Sequence, residues 1–352
     1  MPGLVRGGVA VVRPPGTFTD ERTHCGGEGV GLLGTARVPV PGPPPHAGGV
    51  PGAVPGSPGA LPARGKVDEV SDIKKVTVLG TGVLGSQIAF QTAYSGFDVV
   101  AYDIGEDVLE QARGRFAALV DTYRDEVPGA ADGKAEEALT RITTTADLAE
   151  AAREADLVIE AVPEQPSIKQ DVYQRLAAVA PERAVFATNS STLLPSDLKD
   201  FTGRPDRFLA LHFANRVWKF NTAEVMGTPD TDPAVVERVL AFAADIGMVP
   251  VPVRKEKAGY VLNSLLVPFL NAAAELAAGG YADPHDVDNV WRIATGAPMG
   301  PFQIYDIVGL NTPYNILSHG DEKARALAAW MKENYIDKGK LGVAAGEGFY
   351  KY

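Results

Sequence analysis

A glycine-rich turn set between two short β-branched runs constrains this chain most. Lys75-Val76-Thr77-Val78-Leu79 reads as a buried strand and runs straight into Gly80-Thr81-Gly82-Val83-Leu84-Gly85. Ser86 to Ser95 then reads as a helix, with Ile88, Ala89, Thr92 and Ala93 on one face and Gly96 as its stop. A second strand, Asp98-Val99-Val100-Ala101-Tyr102, ends at Asp103. Strand, G-x-G-x-x-G, helix, strand and acid in that order make a dinucleotide-binding unit. Gly80 allows the tight turn, Gly82 lets a pyrophosphate approach the backbone, and Gly85 lets helix and strand pack closely. The helix start at Val83 and Leu84 offers free N–H groups and a positive dipole end to the phosphates. Asp103 lies 18 residues past Gly85, where a carboxylate can bond both ribose hydroxyls. It would repel a 2′-phosphate, so NAD is favoured over NADP. The bland alternative is a glycine turn used only for packing.

Further strands follow at α/β spacing. Ala155 to Val162 is a nearly continuous apolar run, as expected of a strand covered on both faces, and Ala184–Thr188 and Arg207–His212 are similar. Helices are expected at Gly105–Arg124, Ala135–Thr140 and Ile168–Ala180. From Ala258 the strand pattern stops. Tyr260–Ala278 is a long apolar helix broken at Gly279-Gly280, and Pro284–Ala294 is another. The first is too apolar to stand in water, which asks for a core or an interface. The fold class is therefore α/β: a Rossmann-type doubly wound sheet over 71–255, followed by an all-α C-terminal domain over 256–352.

Residues 1–70 are a different kind of polymer. Gly and Pro make up 28 of these 70 residues against 37 of the other 282, and Phe18 is the single aromatic. Such a segment cannot bury enough apolar surface to offset chain entropy and reads as a disordered extension. The foldable pattern begins at Ser71, directly after Val70. A start at the Val70 codon would give a protein without the extension. Val9–Val12 is too short for a secretory core, and Asp20, Glu21 and Glu28 interrupt a transit pattern, so the cytoplasm is the expected compartment. The net charge of −11 speaks against a nucleic-acid partner, and no run of 18 apolar residues predicts a membrane span. Cys25 is the one cysteine, so no internal disulfide forms, and no His/Cys/Asp cluster has metal spacing.

Over roughly residues 73–352 the chain resembles the 3-hydroxyacyl-CoA dehydrogenase family. Asp156-Leu157-Val158-Ile159-Glu160-Ala161-Val162-Pro163-Glu164 looks like that family's strand ending in an acid, with Lys169 at the matching distance. Thr188-Asn189-Ser190-Ser191-Thr192 looks like its Asn-Thr-Ser-Ser loop, Leu211-His212-Phe213 like its histidine segment, and Ala223-Glu224-Val225 like its glutamate segment. Gly259-Tyr260-Val261-Leu262-Asn263-Ser264 is similar to its Gly-Phe-x-x-Asn-Arg helix. Pro298–Phe302 and the closing Gly346–Tyr352 match as well.

The resemblance implies reversible NAD-dependent oxidation of an L-3-hydroxyacyl-CoA, in a homodimer built through the helical domain. It implies His212 as general base, a task suited to a group of ordinary pKa near 6.5. Glu224 would orient the imidazole, Ser191 would bond the substrate oxygen, and Asn263 would help polarise the ketone. Glu164, Lys169 and Asn189 would lie near the nicotinamide and its ribose. The plainer readings are a buried structural histidine, a surface glutamate, serines that cap the next helix, and a helix-packing asparagine. His285 and His319 read as structural.

Two departures stand out. Phe213-Ala214-Asn215-Arg216 replaces Phe-Phe-Asn-Pro, so Trp218 could narrow the acyl pocket and Arg216 or Lys219 could bind an anion. The helix after Asp103 mixes Arg113, Arg115 and Arg124 with Asp121, Asp125 and Glu126, which weakens it as a surface for CoA phosphates. The alternative substrate is a hydroxy acid without CoA, of sugar-acid or carnitine type. A third reading is a non-catalytic NAD-binding protein on the same fold.

Overall fold

The computed structural model describes residues 71–352. The reading of 1–70 as a disordered extension lies outside the described residues. The chain runs β1 (Lys75–Leu79), α1 (Val83–Tyr94), β2 (Asp98–Tyr102), α2 (Glu106–Glu126), α3 (Lys134–Thr140), β3 (Ile142–Thr145), α4 (Leu148–Ala152), β4 (Leu157–Glu160), α5 (Pro166–Val179) and β5 (Val185–Thr188). It continues through β6 (Phe208–Phe213), β7 (Thr222–Gly227), α6 (Pro233–Asp245) and β8 (Val249–Pro252). Five helices close it: α7 (Leu262–Ala278), α8 (Pro284–Thr295), α9 (Pro301–Val308), α10 (Asn311–Ser318) and α11 (Glu322–Asn334).

The strands form one sheet in the order β3-β2-β1-β4-β5-β6-β7-β8. All pairs are parallel except β6 with β7. Strand order reverses between β1 and β4, so a crevice opens at their carboxyl ends. β4, β5 and β6 are buried along their whole length, because helices cover both faces of this part of the sheet. On one face Val78, Ile159 and Leu211 pack with Phe90, Phe116 and Phe242. On the other Val158, Phe186 and Phe208 pack with Tyr173 and Leu176.

The elements expected from the sequence form with small shifts. β4 is shorter than the apolar run Ala155–Val162, and just before it the Asp156 carboxylate accepts from the Lys74 and Lys75 N–H groups. Strands β3, β7 and β8 were not anticipated. β3 and β8 are edge strands, polar in one case (Ile-Thr-Thr-Thr) and carrying Pro250 and Pro252 in the other. An edge tolerates prolines because one side of the strand needs no N–H donor.

The closing helices share a core of Leu270, Phe302, Tyr305, Met331 and Phe349. Two buried aspartates tie it together. Asp288 accepts from the Phe302 and Gln303 N–H groups at the start of α9 and from the Tyr350 hydroxyl. Asp306 accepts from the Phe349 and Tyr350 N–H groups and from the Tyr352 hydroxyl. A Cβ at Gly348 would sit 2.0 Å from an Asp306 carboxylate oxygen, and one at Gly300 2.2 Å from the Asp288 carboxyl carbon. The two family-like motifs at 298–302 and 346–352 are therefore the two halves of a structural clasp. No helix among the described residues is long and apolar enough to cross a membrane.

Candidate active site

The three glycines of the turn after β1 are not equivalent. Gly80 has φ +91°, and a Cβ there would lie 2.6 Å from the Ala161 carbonyl oxygen. A Cβ at Gly85 would lie 1.9 Å from the Gly80 carbonyl oxygen. Gly82 differs: a Cβ would meet nothing within 4 Å. The protein itself does not need a glycine there, whereas a phosphate approaching the backbone does. Gly82 also precedes the first turn of α1, which has neither a side-chain cap nor an acidic residue to occupy its N–H groups. Asp103 follows β2 and is held by Thr81, whose N–H and hydroxyl both donate to Oδ2 at 2.7 Å, while the Ile104 N–H donates to Oδ1. These residues fit a dinucleotide whose ribose meets Asp103.

A cleft of about 240 Å³ opens from this turn. Gly82, Val83, Leu84 and Gly85 form one wall. Glu164, Lys169, Asn189 and Ser191, from the ends of β4 and β5 and the start of α5, form the other. A larger groove of about 380 Å³ lies where β1 and β2 begin, lined by Lys75, Asp98, Arg141 and Arg153, and holds none of the candidate residues.

Behind the cleft wall sits a buried charge network. The Lys169 ammonium lies 2.6 Å from Glu160 and 3.2 Å from Glu164. Glu160 also accepts from the hydroxyls of Tyr173 and Thr188. Burial pushes the Glu160 carboxyl up, against the opposing pull of Lys169. Glu164 organises the loop after β5. Its Oε1 accepts from the hydroxyls of Ser190 and Thr192 and from the Ser191 and Thr192 N–H groups. Burial alone would raise this carboxyl, but the Ser190 hydroxyl, the Lys169 charge and Thr192 bring it down to about 2. Asn189 accepts the Phe213 N–H at 3.0 Å and so ties the ends of β5 and β6 together.

His212 and Glu224 meet because β6 and β7 run antiparallel in a register that sets them directly opposite each other. His212 Nδ1 lies 3.0 Å from Glu224 Oε2, and His212 Nε2 lies 3.0 Å from Ser191 Oγ. Both His212 and Glu224 are about 4% exposed. Glu224 Oε1 accepts from the Val261 and Leu262 N–H groups at 2.8 and 3.0 Å. Burial would raise its carboxyl, but the hydrogen bonds from His212, Leu262 and Val261 outweigh it and hold the group below the usual carboxylate range. An ionised Glu224 only accepts, so Nδ1 carries a hydrogen toward it, and in the neutral imidazole the lone pair is then on Nε2.

The two serines divide their tasks. Ser190 Oγ accepts the Leu193 N–H as a local cap, while Ser191 Oγ faces the imidazole. Asn263 lies in the first turn of α7, and its side chain makes no hydrogen bond to Ser191, His212 or Glu224. His285 bonds the Phe349 carbonyl and His319 the Asn315 carbonyl, so both serve the fold.

The expectation that Arg216 could take an anion is corrected. Arg216 Nη2 makes two 2.7 Å bonds to the Glu126 carboxylate, and the Trp218 indole donates to the same group. Trp218 packs on Tyr123, so Arg216 and the loop's largest ring are committed to α2, while Lys219 stays more than half exposed at 4.0 Å from Glu126. Arg113 and Arg124 on α2 are likewise engaged, with Glu106 and Glu110 and with Asp121 and Glu136. Two residues of consequence carried no expectation, Thr81 and Tyr260. The sequence signals were a hydroxyl inside the glycine turn and a tyrosine where the family motif reads phenylalanine.

Residues 75–257 match the family model for the 3-hydroxyacyl-CoA dehydrogenase NAD binding domain, and residues 259–352 match the model for the C-terminal domain. The chain belongs to the 3-hydroxyacyl-CoA dehydrogenase family. It is an NAD-dependent oxidoreductase. It is 37% identical to the mitochondrial hydroxyacyl-coenzyme A dehydrogenase of Rattus norvegicus, covering 80% of this chain and 91% of that one. Among solved structures it resembles a diketoreductase described as acting in dual catalysis of dicarbonyl compounds. That match has 64% identity, a TM-score of 0.78, and coverage of 80% of this chain and 99% of that one. It also resembles (S)-3-hydroxybutyryl-CoA dehydrogenase from Ralstonia eutropha at 27% identity, TM-score 0.70 and coverage of 80% and 99%.

Proposed function

We propose that the chain oxidises the C3 hydroxyl of an L-3-hydroxyacyl-CoA to a ketone, and reverses that reaction, with His212 as the proton acceptor. The observation that carries this reading is the line Ser191–His212–Glu224 ending at the cofactor cleft. NAD, when bound, supplies the hydride acceptor for C3. His212 Nε2 takes the hydroxyl proton, because Glu224 keeps the other ring hydrogen on Nδ1. Glu224 then stabilises the imidazolium that forms. Ser191, within reach of Nε2, bonds the substrate oxygen and aligns it with the imidazole. Asn263 is proposed to donate to that oxygen from the start of α7. Glu164 and Lys169 hold the cleft wall beside the nicotinamide ribose, and Asn189 borders the same space. Residues 71–255 carry the cofactor, and residues 256–352 close over the substrate.

A second copy of the chain is the proposed partner of the helical segment. Leu265 on α7, Val290 and Ile293 on α8 and Ile316 on α10 are each more than half exposed, which is costly for apolar surface left in water. Light scattering after size exclusion should give twice the chain mass.

The pairing of Arg113 and Arg124 with carboxylates, which leaves Arg115 as the one of the three α2 arginines bonded to no carboxylate, favours a second reading, a 3-oxo substrate without CoA, in line with the diketoreductase relative. Oxidation of NADH followed at 340 nm with acetoacetyl-CoA, beside free acetoacetate and a simple 3-oxo ester, separates the two. The first reading expects turnover with the thioester at far lower concentration. Equal or better turnover of the CoA-free ketones overturns it in favour of the second.

A further inference from the structure

We propose that Tyr260 is a positioning residue for proton transfer, acting through its ring on His212 and through its hydroxyl on the Ser191 loop. This rests on the assignment of His212 as the proton acceptor.

Tyr260 is 1% exposed and adopts φ +52° directly after Gly259 at φ +80°. A bulky residue in the left-handed region is an outlier, kept only where its surroundings over-determine it. Here two contacts do so. The Tyr260 ring lies against the His212 imidazole, with centroids 4.3 Å apart and planes 7° from parallel. The Tyr260 hydroxyl donates to the Ser190 carbonyl at 2.7 Å. The next residue along the backbone is Ser191, whose hydroxyl faces His212 Nε2.

The ring therefore fixes the imidazole plane from the side, while Glu224 fixes it from Nδ1. An aromatic face is also a favourable neighbour for the cation formed when the imidazole takes a proton. The hydroxyl pins the loop that carries Ser191. Tyr260 thus holds the two partners of the 3.0 Å Ser191–His212 contact at once. The family-like motif has phenylalanine at this position, which could supply the ring but not the hydroxyl.

The experiment compares Tyr260→Phe, Tyr260→Leu and His212→Gln, with kcat and NADH binding by fluorescence measured for each. Tyr260→Phe keeps the ring and should lower kcat about fivefold, the usual worth of one neutral hydrogen bond, with NADH affinity unchanged. Tyr260→Leu loses both handles and should lower kcat by about 10²-fold, the scale of a misplaced catalytic group, again with NADH affinity held. Wild-type kcat in both Tyr260 variants, beside an inactive His212→Gln, overturns this inference alone. So does a loss of NADH affinity in step with kcat, which marks a general structural role. Full activity in His212→Gln overturns the underlying assignment instead.

Discussion

Replacing Glu224 by glutamine changes one atom and should disable the histidine. The carboxylate is used on both sides: Oε1 accepts from two backbone N–H groups and Oε2 faces His212 Nδ1. A glutamine amide can satisfy only one side with its oxygen. With the oxygen toward Val261 and Leu262, the NH₂ group faces Nδ1. The imidazole must then accept there and carry its hydrogen on Nε2, where it cannot take the substrate proton. With the amide turned round, the productive tautomer survives but the two part-buried N–H donors of Val261 and Leu262 lose their acceptor. An unsatisfied buried group costs ~1–3 kcal/mol, and partial burial places these two donors at the low end, so the productive arrangement lies ~2–3 kcal/mol above the other. That gap depopulates it by roughly 30-fold to 150-fold. Loss of the carboxylate charge opposite the imidazolium adds to this, so kcat should fall by about 10²-fold to 10⁴-fold. The assay is NADH oxidation with the best ketone substrate, with NADH affinity and thermal midpoint measured alongside. Both should stay near wild type. A kcat within fivefold of wild type would refute the reasoning, because neither orientation of the amide permits it.

Two further outcomes follow from the cleft. Gly82→Ala should fold with an unchanged or slightly raised thermal midpoint, since φ there is −60° and the added methyl meets nothing. NADH affinity should drop by at least about tenfold because the methyl occupies the phosphate approach; unaltered affinity measured by fluorescence titration would remove Gly82 from the cofactor site. Glu164 makes the fold acid-sensitive. Its folded carboxyl titrates at about 2 and its unfolded one near 4.3, so its contribution is complete above about pH 5 and is lost as pH falls toward 2. With the side chain 38% exposed, screening reduces the linkage value to about 1–2 kcal/mol. Urea unfolding of wild type and Glu164→Gln should therefore differ more at pH 7 than at pH 3. A gap of constant size across that range would mean the carboxylate is not held as described.

Local patterns made the nucleotide half of this protein legible. β1, β2 and the glycine turn are contiguous, and each depends on periodicity or on a missing Cβ, which are properties of single residues and their neighbours. The same holds for the change from strand to helix after Ala258. Edge strands β3 and β8 escaped notice because their stability comes from pairing, and their polar or proline-rich sequences carry no apolar alternation. His212, Glu224 and Ser191 were named through a likeness of motifs rather than by deduction from spacing.

The contacts that join those residues are tertiary. His212 and Glu224 are 12 positions apart, and only the antiparallel register of β6 and β7, alone in an otherwise parallel sheet, puts them face to face. A one-residue slip would send one of them to the opposite face. Whether Arg216 is free for an anion depends on Glu126, 90 residues earlier. That Tyr260 lies on His212 depends on how the helical segment docks against the sheet. Chain composition and local pattern determined that a dinucleotide unit and a helical segment would form. Long-range packing decided which charges are spent on one another, which lone pair faces the cleft, and what holds the histidine in place, because those outcomes depend on distances that no local pattern encodes.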